Sequence, residues 1–253
     1  MDPADFYTGL VADLYAPLRS VTQTAEPYER FIREAGEPAL ELGCGDGDPL
    51  LDLRRRGLDV DGVDSSADML DRCRARAVAA GLTVAVHHQR MEELYLPRRY
   101  RSIFLAGPTF NLLPDDETAA RALARIRAHL TDGGTALVPL FIPDPVAPSA
   151  IGIASESTTA DGARLRCTTV ASTRDQPGRT QRTLLRYERE TPSGAPEVVD
   201  RDWLLHWHTQ DGFRRLAEDA GLRTVAIRTS DGEAATPEAT SFTFSLTAAQ
   251  ESR

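Results

Sequence analysis

Seven residues in two short stretches have the types and spacing to bind a nucleoside-like ligand. Glu41, Gly43, Gly45, Asp46, Gly47 and Asp48 lie in the run Pro38–Asp48, and Asp64 closes Val60-Asp-Gly-Val-Asp64. Apolar residues precede each acid or glycine group. The pattern reads as strand, glycine-rich turn, helix, then a second strand ending in a carboxylate. Glycines let backbone approach a ligand with no side chain in the way. Asp64 follows Gly45 by 19 residues, a separation at which an acid accepts hydrogen bonds from ribose hydroxyls. The dinucleotide fingerprint needs a third glycine at position 48, where this chain has Asp48. The turn is also acidic, and a pyrophosphate site wants backbone amides with little competing negative charge. These residues favour a ligand with ribose, positive charge and no phosphate. A ligand-free tight turn that needs three glycines is the alternative.

S-adenosylmethionine carries a sulfonium, an ammonium and an adenosine. Glu41-Leu-Gly-Cys-Gly-Asp-Gly47 followed by Gly62-Val-Asp-Ser-Ser-Ala-Asp-Met-Leu70 resembles the class I S-adenosylmethionine-dependent methyltransferases. The resemblance covers residues 5–145 and 207–247. It is nearest to small-molecule enzymes of actinobacterial secondary metabolism and antibiotic biosynthesis, the sugar-amine and glycine-type N-methyltransferases. It implies S-adenosylmethionine as cofactor and S-adenosylhomocysteine as product. By position it puts Glu41, Gly43, Cys44 and Gly45 at the methionine part, Asp64 with Ser65 at the ribose, and Met69 against adenine. Met91 matches the residue whose backbone reaches the adenine edge. Arg90 stands where many relatives have Asp. An arginine cannot accept the adenine amino hydrogens, so it stacks on the ring, or Glu92 takes the contact, or Arg90 is a surface residue. Leu105 and Ala106 end the fourth strand beside the methionine part.

The resemblance also supplies candidates for the acceptor side. Thr109, Phe110 and Asn111 follow the fourth strand and face the transferred methyl; Asn111 equally suits capping the Pro114–Asp116 turn. Tyr7 and Tyr15 match an N-terminal lid that closes over cofactor and acceptor, or else pack in the core. His206 and His208 flank Trp207, which also counts as acceptor-facing. Either histidine serves as general base for a hydroxyl acceptor, or both pack under a sheet. His129 reads as a surface residue near a helix end, where an imidazolium is favoured. The spacing of His, Asp and Glu shows no metal-ligand cluster, so no metal is expected.

These residues need elements to hold them. Helical apolar spacing predicts helices over 4–16, 25–35, 50–56, 66–80, 115–130 and 209–220. Strands are expected at 39–42, 60–63, 84–88, 102–105, 135–142, 222–228 and 241–246. Ser65 or Ser66 is an expected N-cap, as is Thr209. Alternating strands and helices imply α/β architecture with a doubly wound, Rossmann-like seven-stranded sheet; the resemblance implies that its last strand is antiparallel. Between residues 151 and 206 the texture changes to alternating Thr, Val and Arg. Turns at Gln176–Gly178 and Thr191–Gly194 divide it, so an inserted antiparallel meander is expected. The domain reading is a helical lid over 1–36, a cofactor domain over 37–148 and 207–253, and an inserted sheet over 149–206 that roofs the acceptor or pairs two copies.

Composition sets outer bounds. Apolar residues make up 41% of the 253, enough for a sizeable core, and the net charge of −9 disfavours nonspecific nucleic-acid binding. All 29 basic residues are arginine, which excludes lysine-based Schiff-base chemistry. Three scattered cysteines and a Met1-Asp2 start without an apolar block fit a reduced, cytoplasmic setting. No run is apolar enough to span a membrane. The partner expected is a small-molecule acceptor, with a homodimer through the inserted sheet compatible. Two rivals remain: the same fold running a cyclisation or decarboxylation, and a regulatory protein with a vestigial site.

Overall fold

The computed structural model describes residues 3–19, 23–192 and 194–249. The Met1-Asp2 start and Ser193 of the second expected turn lie outside them. Eleven strands form two sheets. The larger sheet starts with β1 (Ala39–Leu42), β2 (Val60–Asp64), β3 (Val86–His88), β4 (Tyr100–Phe104) and β5 (Leu130–Phe141). Helices α1 (Leu10–Leu18) and α2 (Glu26–Ala35) precede it, and α3 (Leu50–Arg55), α4 (Ala67–Ala79) and α5 (Asp116–His129) connect its strands. The second sheet holds β6 (Ala154–Thr158), β7 (Arg164–Asp175), β8 (Thr180–Glu190) and β9 (Glu197–His206). Then α6 (Gln210–Asp219), β10 (Leu222–Arg228) and β11 (Ser241–Ala248) complete the first.

The seven strands run in the order β10-β11-β5-β4-β1-β2-β3. β1 pairs in parallel with β2 and β4, so it is central, and all four of its residues are buried. β11 is antiparallel to both β5 and β10. The architecture is therefore the expected doubly wound α/β sheet with one reversed strand. Strand side chains alternate between faces. Leu40, Leu42 and Ile103 meet Leu123 and Ile126 of α5 and Phe213 of α6 in one core. Ala39 and Phe104 meet Ile32 of α2, Leu50 of α3 and Leu70 of α4 in the other.

Three helices start where side-chain caps allow. Ser66, not Ser65, caps α4 by accepting the Met69 amide at 3.2 Å. Asp115 caps α5 through the Thr118 amide at 2.8 Å, and Thr209 caps α6 through the Gly212 amide at 3.1 Å. β5 starts earlier than expected, at Leu130. Its ladder to β4 jumps from Tyr100↔Leu130 to Ser102↔Thr135, so Asp132-Gly-Gly134 bulges out within the strand. Arg101 anchors the bulge by donating to the Asp132 carbonyl at 2.9 Å.

The meander forms as an antiparallel sheet with order β6-β7-β8-β9; β6 is a strand the alternation did not single out. This sheet holds the N-terminal helix. Phe6, Val11 and Leu14 pack with Leu165 and Tyr187 in a third core. Asp13 pairs with Arg72 of α4 on one side and with Arg189 of β8 on the other.

His129 is not a surface residue. It is 6% exposed; its Nε2 accepts the Leu96 amide at 3.0 Å and its Nδ1 lies 2.8 Å from the Arg125 carbonyl. On the surface Arg56 pairs with Glu26 and Glu29, and Arg98 with Asp59 and Asp61.

Candidate active site

A cavity of about 320 Å³ opens beyond the carboxyl ends of β1 and β2, the place where open parallel sheets take ligands. Its volume falls in the range of small-molecule sites. Gly43, Gly45, Asp64, Ser65 and Met69 form one wall. Arg90, Met91 and Glu92 form a second, and Tyr7 and Tyr15 cover it from the N-terminal segment. Thr109 closes the side next to Gly43.

Asp64 is built to present a carboxylate. Its Oδ2 accepts the Gly45 amide and its Oδ1 the Ser66 amide, each at 2.8 Å. A carboxylate has about four lone-pair sites, so both oxygens retain capacity for ligand hydroxyls. Burial pushes its pKa up, and the two amides pull it back down. Gly43 has φ +74°, and a Cβ there would sit 2.6 Å from Thr109 Cγ2. The turn must be glycine on both counts, and its bare backbone lines the cavity.

The acidity of the turn is not uniform. Arg19 and Arg76 both pair with Asp46 and with Asp48. Glu41 has no such partner. It is fully buried, and neither carboxylate oxygen has a hydrogen-bond partner among the described residues. Burial holds its carboxyl well above the usual carboxylate range, with Asp64, Asp48 and Asp46 adding to the rise. A buried carboxyl without a partner is favoured in its neutral form, and Glu41 does not line the cavity. The lining fits S-adenosylmethionine through hydroxyl-accepting Asp64 and bare glycine backbone.

The lid is tied down by polar contacts to the β2–α4 turn. Ser65 Oγ donates to the Ala4 carbonyl at 3.2 Å, Ser66 Oγ donates to the Tyr7 carbonyl at 2.5 Å, and the Gly9 amide donates to Asp68 at 2.6 Å. Tyr7 and Tyr15 meet edge to face with centroids 5.3 Å apart. Burial raises both phenols above their ordinary value, so they stay neutral donors. Arg90 lines the cavity and also faces Asp5 at 4.0 Å.

Several expected site residues lie elsewhere. Cys44 is buried and turned inward; a Cβ on Gly62 would stand 2.8 Å from its Sγ. Leu105 and Ala106 do not line the cavity, since Leu105 is fully buried and continues the sheet by donating to Leu137. Phe110 is core, edge-on to Phe213 at 5.3 Å. Asn111 neither faces an acceptor nor caps the Pro114–Asp116 turn. It is fully buried, donates to the Phe141 and His206 carbonyls at 2.9 Å each, and accepts the Phe141 amide at 3.2 Å. Trp207 lies under the Arg174 guanidinium, 4.0 Å from ring centroid to carbon. His206 and His208 face each other and Asp116, outside the cavity wall. The general-base reading of both is thereby corrected. Asp116 also joins them into a cluster of metal-ligating types, which sequence spacing could not reveal because its members are far apart in the chain.

Thr118 and Arg121 of α5, and Leu112 to Pro114 before it, line the cavity without having been expected. The available signal was the first turn of a helix that follows the fourth strand; its apolar stripe drew attention to the opposite face.

The methyltransferase-domain family matches residues 39–134, the segment from β1 into β5. A putative methyltransferase of Geobacillus sp. (strain WCH70) is 28% identical over 43% of this chain, and the chain spans 44% of that relative's length. The dTDP-3-amino-3,6-dideoxy-alpha-D-glucopyranose N,N-dimethyltransferase of Streptomyces fradiae is 25% identical over 87% of this chain and 86% of its own. Among solved structures, CalS10 of Micromonospora echinaspora, an amino pentose methyltransferase solved with S-adenosylmethionine bound, matches with TM-score 0.67 and 20% identity over 95% of this chain and 97% of its own. That likeness carries the fold. Residues 39–134 match a methyltransferase domain, and this fold and cavity are similar to those of the class I S-adenosylmethionine-dependent methyltransferases.

Proposed function

We propose that this protein transfers the methyl group of S-adenosylmethionine to a nitrogen or oxygen of a small molecule, in natural-product biosynthesis, and that the acceptor atom is an amine. The observation that carries the reading is the cavity in which Gly43, Gly45 and Asp64 face Tyr7, Tyr15 and Thr109. The bound cofactor supplies an electrophilic methyl on a sulfonium. The chain's own part is alignment. Asp64 accepts the ribose hydroxyls, the glycine turn admits the methionine part, and the tyrosine lid excludes water. Alignment of nucleophile and methyl can supply much of the rate.

An amine needs only to arrive neutral, whereas a hydroxyl profits from a base. Among the described residues no histidine lines the cavity, which supports the amine. The amino-sugar names of the Streptomyces and Micromonospora relatives support it as well. The four-stranded sheet, which packs on the lid, acts as the support of the acceptor side, and its free edges suit a homodimer. No helix among the described residues is long and apolar enough to cross a membrane.

The test is incubation with S-adenosylmethionine and a panel of amino and hydroxy nucleotide sugars, read by mass. A gain of one methyl with stoichiometric S-adenosylhomocysteine, lost in Asp64→Ala, supports the proposal. Product without methyl gain points to cyclisation or decarboxylation, and cofactor binding without any product points to a regulatory role. Methylation of hydroxyls but not amines overturns the amine assignment alone.

A further inference from the structure

Away from the cofactor cavity, three ligand-type side chains converge where α5 begins and β9 hands over to α6. One nitrogen of His206 and one of His208 each lie 3.5 Å from the same oxygen, Asp116 Oδ1. One ligand atom from each of the three residues lies within 4.8 Å of the other two. The imidazoles are 2% and 1% exposed, with ring centroids 4.6 Å apart.

We propose that Asp116, His206 and His208 bind a divalent transition-metal cation of the zinc class. Three features carry this. First, 3.5 Å is too long for a good hydrogen bond between an imidazole and a carboxylate. Ligand atoms about 2.0–2.1 Å from zinc stand about 3.4 Å apart in a tetrahedron, so each histidine–carboxylate separation fits two ligands of one cation.

Second, the carboxylate is oriented for the task. Arg179 holds Asp116 Oδ2, which leaves Oδ1 facing the histidines. Such outer support fixes a ligand without occupying its coordinating atom. Asp115, next to Asp116 and near His206, adds negative field that offsets the Arg179 charge.

Third, both rings are buried beside the carboxylate. Two buried imidazoles and one carboxylate are a three-ligand set. Asp116 is half exposed, so water can take the fourth position.

The cation would brace the cavity from behind. The His206 carbonyl is held by Asn111, two residues beyond the cavity-lining Thr109, and Asp116 lies two residues before the cavity-lining Thr118. This role concerns the fold and the cavity wall, not the methyl transfer.

The experiment uses untagged full chain, stripped with a chelator and titrated with Zn²⁺ calorimetrically and with Co²⁺ by visible absorption. Asp116→Ala and Asp116→Asn are run in parallel. Asp115 caps the helix, so both variants should fold; S-adenosylmethionine binding by each reports that they do. Expected are one equivalent bound by the wild type, cobalt d–d bands without thiolate charge transfer, and a rise in Tm on Zn²⁺ addition. Both variants should bind at least roughly tenfold more weakly, with no rise in Tm. Binding as tight in folded Asp116→Ala as in the wild type overturns the proposal. So does absence of binding by the wild type, or a thiolate band that places the cation on Cys44, Cys73 or Cys167.

Discussion

Asp64 Oδ2 accepts the backbone amide of Gly45 at 2.8 Å. The tip of the second strand thus fastens the turn that follows the first, and the carboxylate proposed to meet the ribose also shapes the glycine cradle. The two halves of the cofactor site are a single hydrogen-bonded unit. A change at Asp64 therefore acts on both.

Asp64→Ala should weaken both S-adenosylmethionine and S-adenosylhomocysteine by on the order of tenfold to a hundredfold, because hydrogen bonds to a charged group contribute about 1.5–3 kcal/mol. Asp64→Asn keeps an acceptor oxygen and should lose less. Calorimetric titration measures both. Equal affinity of Asp64→Ala and wild type would remove Asp64 from the ribose.

Gly43→Ala should destabilise the protein by roughly 1–2 kcal/mol through its positive φ and further through the close approach to Thr109 Cγ2. Thr109→Ser removes that methyl. The double variant should therefore recover part of the lost Tm, but not all, since the backbone strain remains. No recovery in the double variant would show that the Thr109 contact is not the cause.

The pH dependence of stability should carry the signature of Glu41. Burial raises its native pKa well above the ordinary 4.5. The native state then binds the proton more tightly than the unfolded chain, so stability is fully present below about pH 4.5 and is lost as pH rises through the native value. Glu41→Gln should remove that loss and raise Tm at neutral pH. The Tm difference between variant and wild type, measured from pH 4.5 upward, isolates the effect. Parallel curves would mean that Glu41 titrates alike in the native and unfolded states.

Asn111→Ala should act on stability and not on chemistry. It leaves the Phe141 and His206 carbonyls and the Phe141 amide unpaired. The loss is expected at about 2–4 kcal/mol, or a Tm lower by roughly 5–15 °C for a chain of this size. The folded fraction should keep its turnover. A fall in kcat with unchanged Tm would return Asn111 to the acceptor site.

Much of the site was legible because it is local. The glycine turn, Asp64, Ser65, Met69, Arg90 to Glu92 and Thr109 all belong to segments at strand ends, and all line the cavity. The misplaced residues share another property. Cys44, Leu105, Phe110 and Asn111 sit beside site residues in the chain, yet their side chains point into the protein. In so short a loop, neighbouring side chains take different directions, and a motif does not say which faces the ligand. Thr118 and Arg121 went unnoticed because one helix face is read as core and the other as solvent, whereas here part of that face borders a cavity.

The sequence by itself determined the alternation of strands and helices, the inserted meander, the cap at Thr209 and the glycine-rich turn between the first strand and helix. Each of these follows from periodicity, from capping chemistry or from the glycines of a continuous segment. Only the tertiary structure decided that Glu41 is left without a partner while Asp46 and Asp48 are neutralised by Arg19 and Arg76. It alone decided that His206 and His208 turn from the cavity to Asp116. The reason is that burial and pairing between segments distant in the chain depend on where sheet packing brings them, and local sequence pattern carries no record of that distance.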